Sequence, residues 1–133
     1  MIGIDTNVLV RHIVQDDDEQ ARAATRLIET RCTAGDPGLI SLVVLCELVW
    51  VLDCGYEYDR DTIARLLRRL LAVDDLRIEG SELAWQAVGL YEKGKADFAD
   101  YVIGLSHSVQ GADVTYTFNR RASHCKLFKL VGR

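Results

Sequence analysis

The side chains of this sequence best suited to chemistry are four carboxylates, those of Asp5, Glu47, Asp97 and Asp100. A group of carboxylates without lysine or histidine offers hard oxygen ligands, which suit Mg²⁺ or Mn²⁺ better than zinc. Such ions activate water and stabilise the attacking and leaving oxygens when a phosphodiester is cleaved. If the fold brings these acids together, they predict a metal-dependent hydrolytic site.

Asp5 ends the short apolar segment 2–5, which we predict to be a buried strand. Its neighbours Thr6 and Asn7 begin the next predicted helix, so the Asp5 carboxylate is expected at the functional edge of a sheet. An aspartate that follows a strand is also a common helix N-cap. Either interpretation is open at this point.

Glu47 is the one charged residue between Leu39 and Leu52, inside a predicted helix of Leu, Val, Cys and Trp. Burying an unpaired carboxylate among such side chains costs several kcal/mol, so a buried glutamate needs a partner. The partner could be a buried arginine or a metal ion. Because no arginine is an obvious candidate, the pattern favours a metal-binding or catalytic glutamate.

Asp97 and Asp100 lie three residues apart at the start of a predicted helix, which puts both carboxylates on one helix face. The same spacing fits a capping arrangement, with Asp97 as the N-cap and Asp100 favoured by the helix dipole. The two interpretations are compatible, because a metal-binding acid can also lie in the first turn. Asn119 follows the predicted strand 114–118, and Thr117 is expected to point to the same side.

The elements that must position these residues alternate between strands and helices. Strands are predicted at 2–5, 39–40, 76–78, 114–118 and 126–130, and helices are predicted between them, including one over 42–52 capped by Ser41. This alternation predicts an α/β sandwich with a mainly parallel sheet. Ligands of such sheets bind beyond the carboxyl ends of the strands. We therefore expect the acids to converge on one edge.

The bulk composition predicts an ordinary single domain of 133 residues, with 49% hydrophobic and 27% charged residues. No apolar run approaches the roughly 20 residues that span a bilayer, and no signal-peptide core follows Met1. The four cysteines form no CxxC pair, and we interpret them as reduced thiols with mainly packing roles. These features predict a cytoplasmic protein without a membrane partner.

The net charge of −4 hides an uneven distribution. The last twenty residues contain no acid, so the first 113 residues carry −9 and the tail +5; the five cations of the tail are Arg120, Arg121, Lys126, Lys129 and Arg133. A basic end could hold a phosphate backbone near a carboxylate-and-metal site. An ordinary solvated surface is the alternative. Arg120, Arg121 and Lys126 are our candidates for contact with an RNA backbone.

Four segments together resemble a PIN domain: IDTNVL at 4–9, Glu47 in its apolar helix, DFADYVI at 97–103 and TYTFNRRA at 115–122. Their order, their spacing and the total length are similar to those of VapC-type toxins of type II toxin–antitoxin systems. The resemblance implies a PIN-like three-layer sandwich, with helices flanking a mainly parallel sheet of about five strands. It also implies a ribonuclease that cuts single-stranded regions of RNA, often tRNA or rRNA.

The resemblance further implies a VapB-like antitoxin that enters the active-site groove, and a homodimer. Asp5, Glu47 and Asp100 match the family's acidic core, while Asp97 matches an acid present in many relatives. Metal would be held by these acids, with Glu47 acting directly or through water, and Thr6, Asn7, Thr117 and Asn119 would support them. Asn119 departs from the pattern, because many relatives have aspartate there. A second metal ion is therefore less expected than the first.

Two other functions are open from the sequence. A phosphatase with a nucleophilic Asp5 usually needs a second acid two residues later, where this chain has Asn7. A catalytically silent PIN fold that binds RNA or protein is the other alternative, although all the core acids are present. Metal-dependent cleavage of RNA without turnover of a phosphomonoester would distinguish the three.

Overall fold

The computed structural model describes residues 1–132, which divide into two units, residues 1–81 and residues 82 onward. Arg133, one of the cations counted in the basic tail, lies outside the described residues. The prediction of a single domain over the whole chain stays a prediction.

The first unit contains a sheet of three short strands, β1 (Ile2–Gly3), β2 (Gly38–Ile40) and β3 (Leu76–Ile78), paired in that order and all parallel. Parallel neighbours need a long crossover connection, and helices provide it here. The strands are those predicted, although β1 is shorter. The helices of this unit are α1 (Thr6–Val14), α2 (Asp18–Arg31), α3 (Leu42–Trp50) and α4 (Arg60–Ala72).

The middle strand β2 alternates between buried and exposed positions, and its start requires a glycine. Gly38 and Ile40 are buried, whereas Leu39 is exposed. A Cβ atom at Gly38 would lie 2.7 Å from the Sγ atom of Cys32, which is itself buried. The thiol of Cys32 therefore has the packing role predicted for it, with burial raising its pKa.

The apolar helix α3 begins where the sequence predicts but ends differently. The Ser41 hydroxyl oxygen accepts a hydrogen bond from the backbone N–H of Val44 at 3.1 Å, so the predicted cap is confirmed. The chain then continues into a π-helical turn over Val51–Gly55, in which the N–H of Tyr56 bonds to the carbonyl of Val51. The helix predicted over 42–52 therefore ends as an α-helix at Trp50, and the π-helical turn prolongs the helical path to Gly55.

In the second unit, residues of α5 (Ser81–Lys93) precede α6 (Phe98–Val109), and β4 (Thr115–Thr117) pairs in parallel with β5 (Phe128–Leu130). Ser81 is the first residue of α5. The rings of Tyr91 and Phe98 meet edge to face, with centroids 5.9 Å apart and planes at 87°. Such aromatic pairs add to the burial of both rings.

The predicted α/β class with mainly parallel pairing is confirmed for residues 1–132. The five described strands pair as a set of three and a set of two, and every pairing is parallel. Within that part of the chain, no helix has the length and apolar character needed to cross a membrane.

Candidate functional site

Asp5 lies at the turn from β1 to α1 and caps the helix, as one of the two sequence interpretations proposed. Its Oδ1 atom accepts a hydrogen bond from the backbone N–H of Thr6 at 2.7 Å. The residue is exposed, so the remainder of its carboxylate faces solvent. The cap therefore leaves Asp5 able to bind a ligand.

Glu47 is fixed by Thr6, which follows Asp5. The Thr6 hydroxyl donates to the Oε1 atom of Glu47 at 2.7 Å, linking the start of α1 to the middle of α3. Glu47 is exposed, so the prediction that it is buried among apolar side chains was wrong. The prediction assumed that every apolar residue of α3 is buried. Val43 and Trp50 are instead 68% and 66% exposed, and they share the outer face of α3 with Glu47.

These residues line one cavity of about 410 Å³. The structure thus brings together four of the residues predicted from the sequence, Asp5, Thr6, Asn7 and Glu47. The complete lining is Asp5, Thr6, Asn7, Val10, Arg11, Glu47, Val51 and Tyr56. We call it the acid cavity.

Asp97 and Asp100 form a second acidic pair, in the unit that begins at residue 82. Asp97 is the N-cap of α6, and its backbone N–H donates to the Oδ2 atom of Asp100 at 3.1 Å. Burial, assisted by the charge of Asp97, raises the pKa of Asp100 against the opposing effect of that hydrogen bond. A half-buried carboxylate beside another acid is the kind of group that a cation stabilises.

Tyr101 contacts the segment that leads into α6. Its hydroxyl accepts a hydrogen bond from the backbone N–H of Ala96 at 3.3 Å. A Cβ atom at Gly94 would collide with the same hydroxyl, and it would lie 2.8 Å from the carbonyl oxygen of Leu90. The loop that leads to Asp97 therefore depends on a glycine at 94.

Thr117 and Asn119 serve a local turn after β4. The Thr117 hydroxyl oxygen accepts from the N–H of Asn119 at 3.0 Å, and the side-chain oxygen of Asn119 accepts from the N–H groups of Arg121 and Ala122. The side-chain oxygen of Asn119, a residue that we expected to support the metal-binding acids, thus has a capping role. Arg120, Arg121 and Lys126 are exposed.

Within residues 1–132, no group of three or more His, Cys, Asp or Glu side chains is placed so that it could hold a metal ion. Each unit contains a pair of carboxylates, Asp5 with Glu47 in the first and Asp97 with Asp100 in the second. The atoms of both pairs that could bind a metal ion are carboxylate oxygens, and Asp5 and Glu47 line the acid cavity. The chemistry of the pairs therefore fits Mg²⁺ or Mn²⁺.

Two polar residues of the acid cavity, Arg11 and Tyr56, were not predicted as site residues from the sequence. Arg11 lies four residues after Asn7 on α1 and so shares its face, a spacing that could have drawn attention to it. Tyr56 follows the π-helical turn, which no sequence pattern indicated.

A family model describing the PIN domain matches residues 2–126 of the chain. Over 129 residues the chain is 24% identical to a protein described as a VapC ribonuclease from Aquifex aeolicus (strain VF5), a match that covers 97% of this chain and 90% of that protein. No solved structure matches significantly. The resemblance noted from the sequence is thereby confirmed, and the chain belongs to the PIN-domain family.

Proposed function

We propose that this protein is a metal-dependent endoribonuclease that cleaves single-stranded regions of RNA. The observation that carries the proposal is the acid cavity, in which Asp5 and Glu47 lie together and Thr6 fixes Glu47. The similarity to a relative described as a VapC ribonuclease supports the same reaction. Oxygen ligands that face a cavity suit the hydrolysis of a phosphodiester.

The metal ligands in this proposal are Asp5 and Asp100, with Asp97 as an additional ligand. For Asp5 the assignment rests on its exposed carboxylate, and for Asp97 and Asp100 it rests on the family resemblance and on their pairing at α6. A bound Mg²⁺ or Mn²⁺ would supply positive charge to the phosphoryl oxygens. Glu47 would orient the attacking water, since the hydrogen bond from Thr6 fixes its carboxylate.

The substrate and partners follow the family resemblance. We propose tRNA or rRNA as the substrate, a VapB-like antitoxin as the inhibitor, and action in the cytoplasm, with reduced cysteines. Homodimerisation is supported by the outer face of α3, where Val43 and Trp50 are 68% and 66% exposed. Large apolar side chains in such positions are typical of protein interfaces.

The proposal is tested with purified protein free of antitoxin and of contaminating nuclease. The substrates are a single-stranded RNA, the same RNA annealed to its complement, and p-nitrophenyl phosphate. We expect cleavage of the single strand with Mg²⁺ or Mn²⁺, none in EDTA, and little turnover of the other two. Turnover of the phosphomonoester alone would indicate a phosphatase. Binding of RNA without cleavage would indicate a silent PIN fold.

A further inference from the structure

We propose that Arg11 binds an RNA phosphate at the acid cavity and that Asp16, Gln20 and Tyr56 hold its guanidinium in position. This inference rests on the proposed function, whose substrate contact it specifies. Arg11 is outside the acidic set and outside the basic tail. It would position the substrate rather than take part in bond breaking.

The charge of the acid cavity creates the need for such a residue. Asp5 and Glu47 are both exposed carboxylates, and they repel a phosphate that approaches them. Among the described residues that line the cavity, Arg11 is the only cation. It therefore offers the substrate an attractive contact beside the two carboxylates.

The Arg11 side chain is held by three neighbours before any ligand binds. Its Nε atom donates to Gln20 at 2.6 Å, and its Nη1 atom donates to Asp16 at 3.0 Å and to the Tyr56 hydroxyl at 3.4 Å. None of these bonds uses the second terminal nitrogen, Nη2, so its N–H groups can donate to a phosphate oxygen. A guanidinium fixed in advance loses less conformational freedom when it binds.

The neighbours of Arg11 also bind one another. The Tyr56 hydroxyl donates to the second carboxylate oxygen of Asp16 at 2.7 Å, which closes a ring of three side chains. This bond, followed by the contact with Arg11, lowers the pKa of Asp16 against the effect of desolvation. The carboxylate of Asp16 therefore stays charged at neutral pH and keeps the guanidinium in place.

A second cavity of about 500 Å³ adjoins the first along α1 and α2. Asn7 and Arg11 line both cavities, and the remaining lining residues are Val8, Gln20, Ala23, Ala24 and Leu27. Arg11 thus lies where the two cavities adjoin. An RNA strand that occupies both cavities would pass the guanidinium of Arg11. Arg11 is therefore in a position to fix the register of the substrate.

The test measures binding separately from cleavage. A fluorescent single-stranded oligoribonucleotide is titrated in EDTA with wild type, Arg11→Gln, Arg11→Lys and Tyr56→Phe at several salt concentrations. The matched control is Arg22→Gln, since Arg22 is exposed on α2 and lines neither cavity. Thermal melts of each protein establish that it is folded.

We expect Arg11→Gln to raise Kd about tenfold, the loss that corresponds to one charge-assisted hydrogen bond. Its salt slope should fall by about 0.7, the value for one phosphate contact on a single strand. Arg11→Lys should recover the slope, and Tyr56→Phe should raise Kd with the slope unchanged. In cleavage assays with Mn²⁺, Arg11→Gln should raise KM more than it lowers kcat.

Equal Kd values and salt slopes for Arg11→Gln and Arg22→Gln would overturn the inference, whatever happens to the melting temperature. That result would mean that Arg11 has only a structural role, in which it links α1 to α2 and to the segment after α3. If the wild type fails to cleave RNA but binds it in an Arg11-dependent way, the proposed function fails while the phosphate contact stands.

Discussion

Thr6 donates its hydroxyl hydrogen to Glu47, with 2.7 Å between Oγ1 and Oε1. The same residue donates its backbone N–H to Asp5. One threonine at the start of α1 therefore contacts both carboxylates of the acid cavity, through the backbone and through the side chain.

This relationship predicts the effect of removing the hydroxyl alone. Thr6→Val keeps the shape and the backbone N–H but leaves Glu47 without its donor, so kcat for RNA cleavage should fall about tenfold, as for one hydrogen bond to a charged group. The melting temperature should change little, because Glu47 is exposed. Thr6→Ser is the matched control and should retain most activity. A fully active Thr6→Val protein would show that the bond does not serve catalysis.

The contact between Tyr56 and Asp16 predicts a pH-dependent contribution to stability. The pKa of Asp16 is lowered, chiefly by the Tyr56 hydroxyl, so the stabilisation is present above the ordinary aspartate pKa of about 4 and is lost as pH falls through the lowered value. Tyr56→Phe should melt below wild type at neutral pH, and the difference should shrink at acidic pH.

Tyr58→Phe is the control for that experiment, because Tyr58 contacts the Tyr56 ring edge-on at 6.3 Å. It should show no such pH dependence. A Tyr56→Phe difference that stays constant from neutral to acidic pH would contradict the account of Asp16.

The loop before α6 predicts a stability effect that depends on one hydroxyl. Gly94→Ala should lower the free energy of unfolding by about 2 kcal/mol, because the new methyl group meets the Tyr101 hydroxyl. In a Tyr101→Phe background the loss should be smaller, although two close contacts remain, with the Leu90 carbonyl oxygen at 2.8 Å and with the ring carbon Cζ at 2.9 Å. Chemical denaturation of the four proteins measures the coupling.

The control is Gly89→Ala in α5, where a Cβ atom would meet nothing within 4 Å. Alanine favours a helix over glycine, so this variant should be as stable as wild type or more stable. Additive effects of Gly94→Ala and Tyr101→Phe would contradict the predicted contact.

The basic tail predicts a change in the salt dependence of RNA binding. If the exposed Arg120, Arg121 and Lys126 each contact a phosphate, neutralising all three should weaken binding and lower the salt slope by about two. An unchanged slope in the triple variant would make the tail an ordinary solvated surface. The substitutions spare Asn119, so the turn after β4 should keep its caps.

Much of this fold could be predicted because local rules determine it. Helix caps at Asp5, Ser41 and Asp97 follow from side chains that bond to nearby N–H groups, and the strands follow from short apolar runs. Glu47 was selected because we expected it to be buried, and that expectation was wrong, since burial depends on which face of α3 packs against the rest of the protein.

The ring of Arg11, Asp16 and Tyr56 could not be predicted in the same way. It joins residues up to 45 positions apart and requires the π-helical turn that brings Tyr56 to the cavity. Composition and periodicity carry no information on such long-range polar contacts. For the same reason, only the structure identified Thr6 as the donor to Glu47.

The central claim is that the acidic residues bind the metal ion that RNA cleavage requires. The most direct measurement compares initial rates of single-stranded RNA cleavage with millimolar Mn²⁺ for wild type, Asp5→Asn and Asp74→Asn. Asp74 is an exposed acid between α4 and β3, so its variant controls for loss of charge. We predict that Asp5→Asn loses about a hundredfold or more in rate, that Asp74→Asn matches wild type, and that EDTA abolishes cleavage by all three. Near-wild-type cleavage by Asp5→Asn, or cleavage in EDTA by a nuclease-free preparation, would contradict the account.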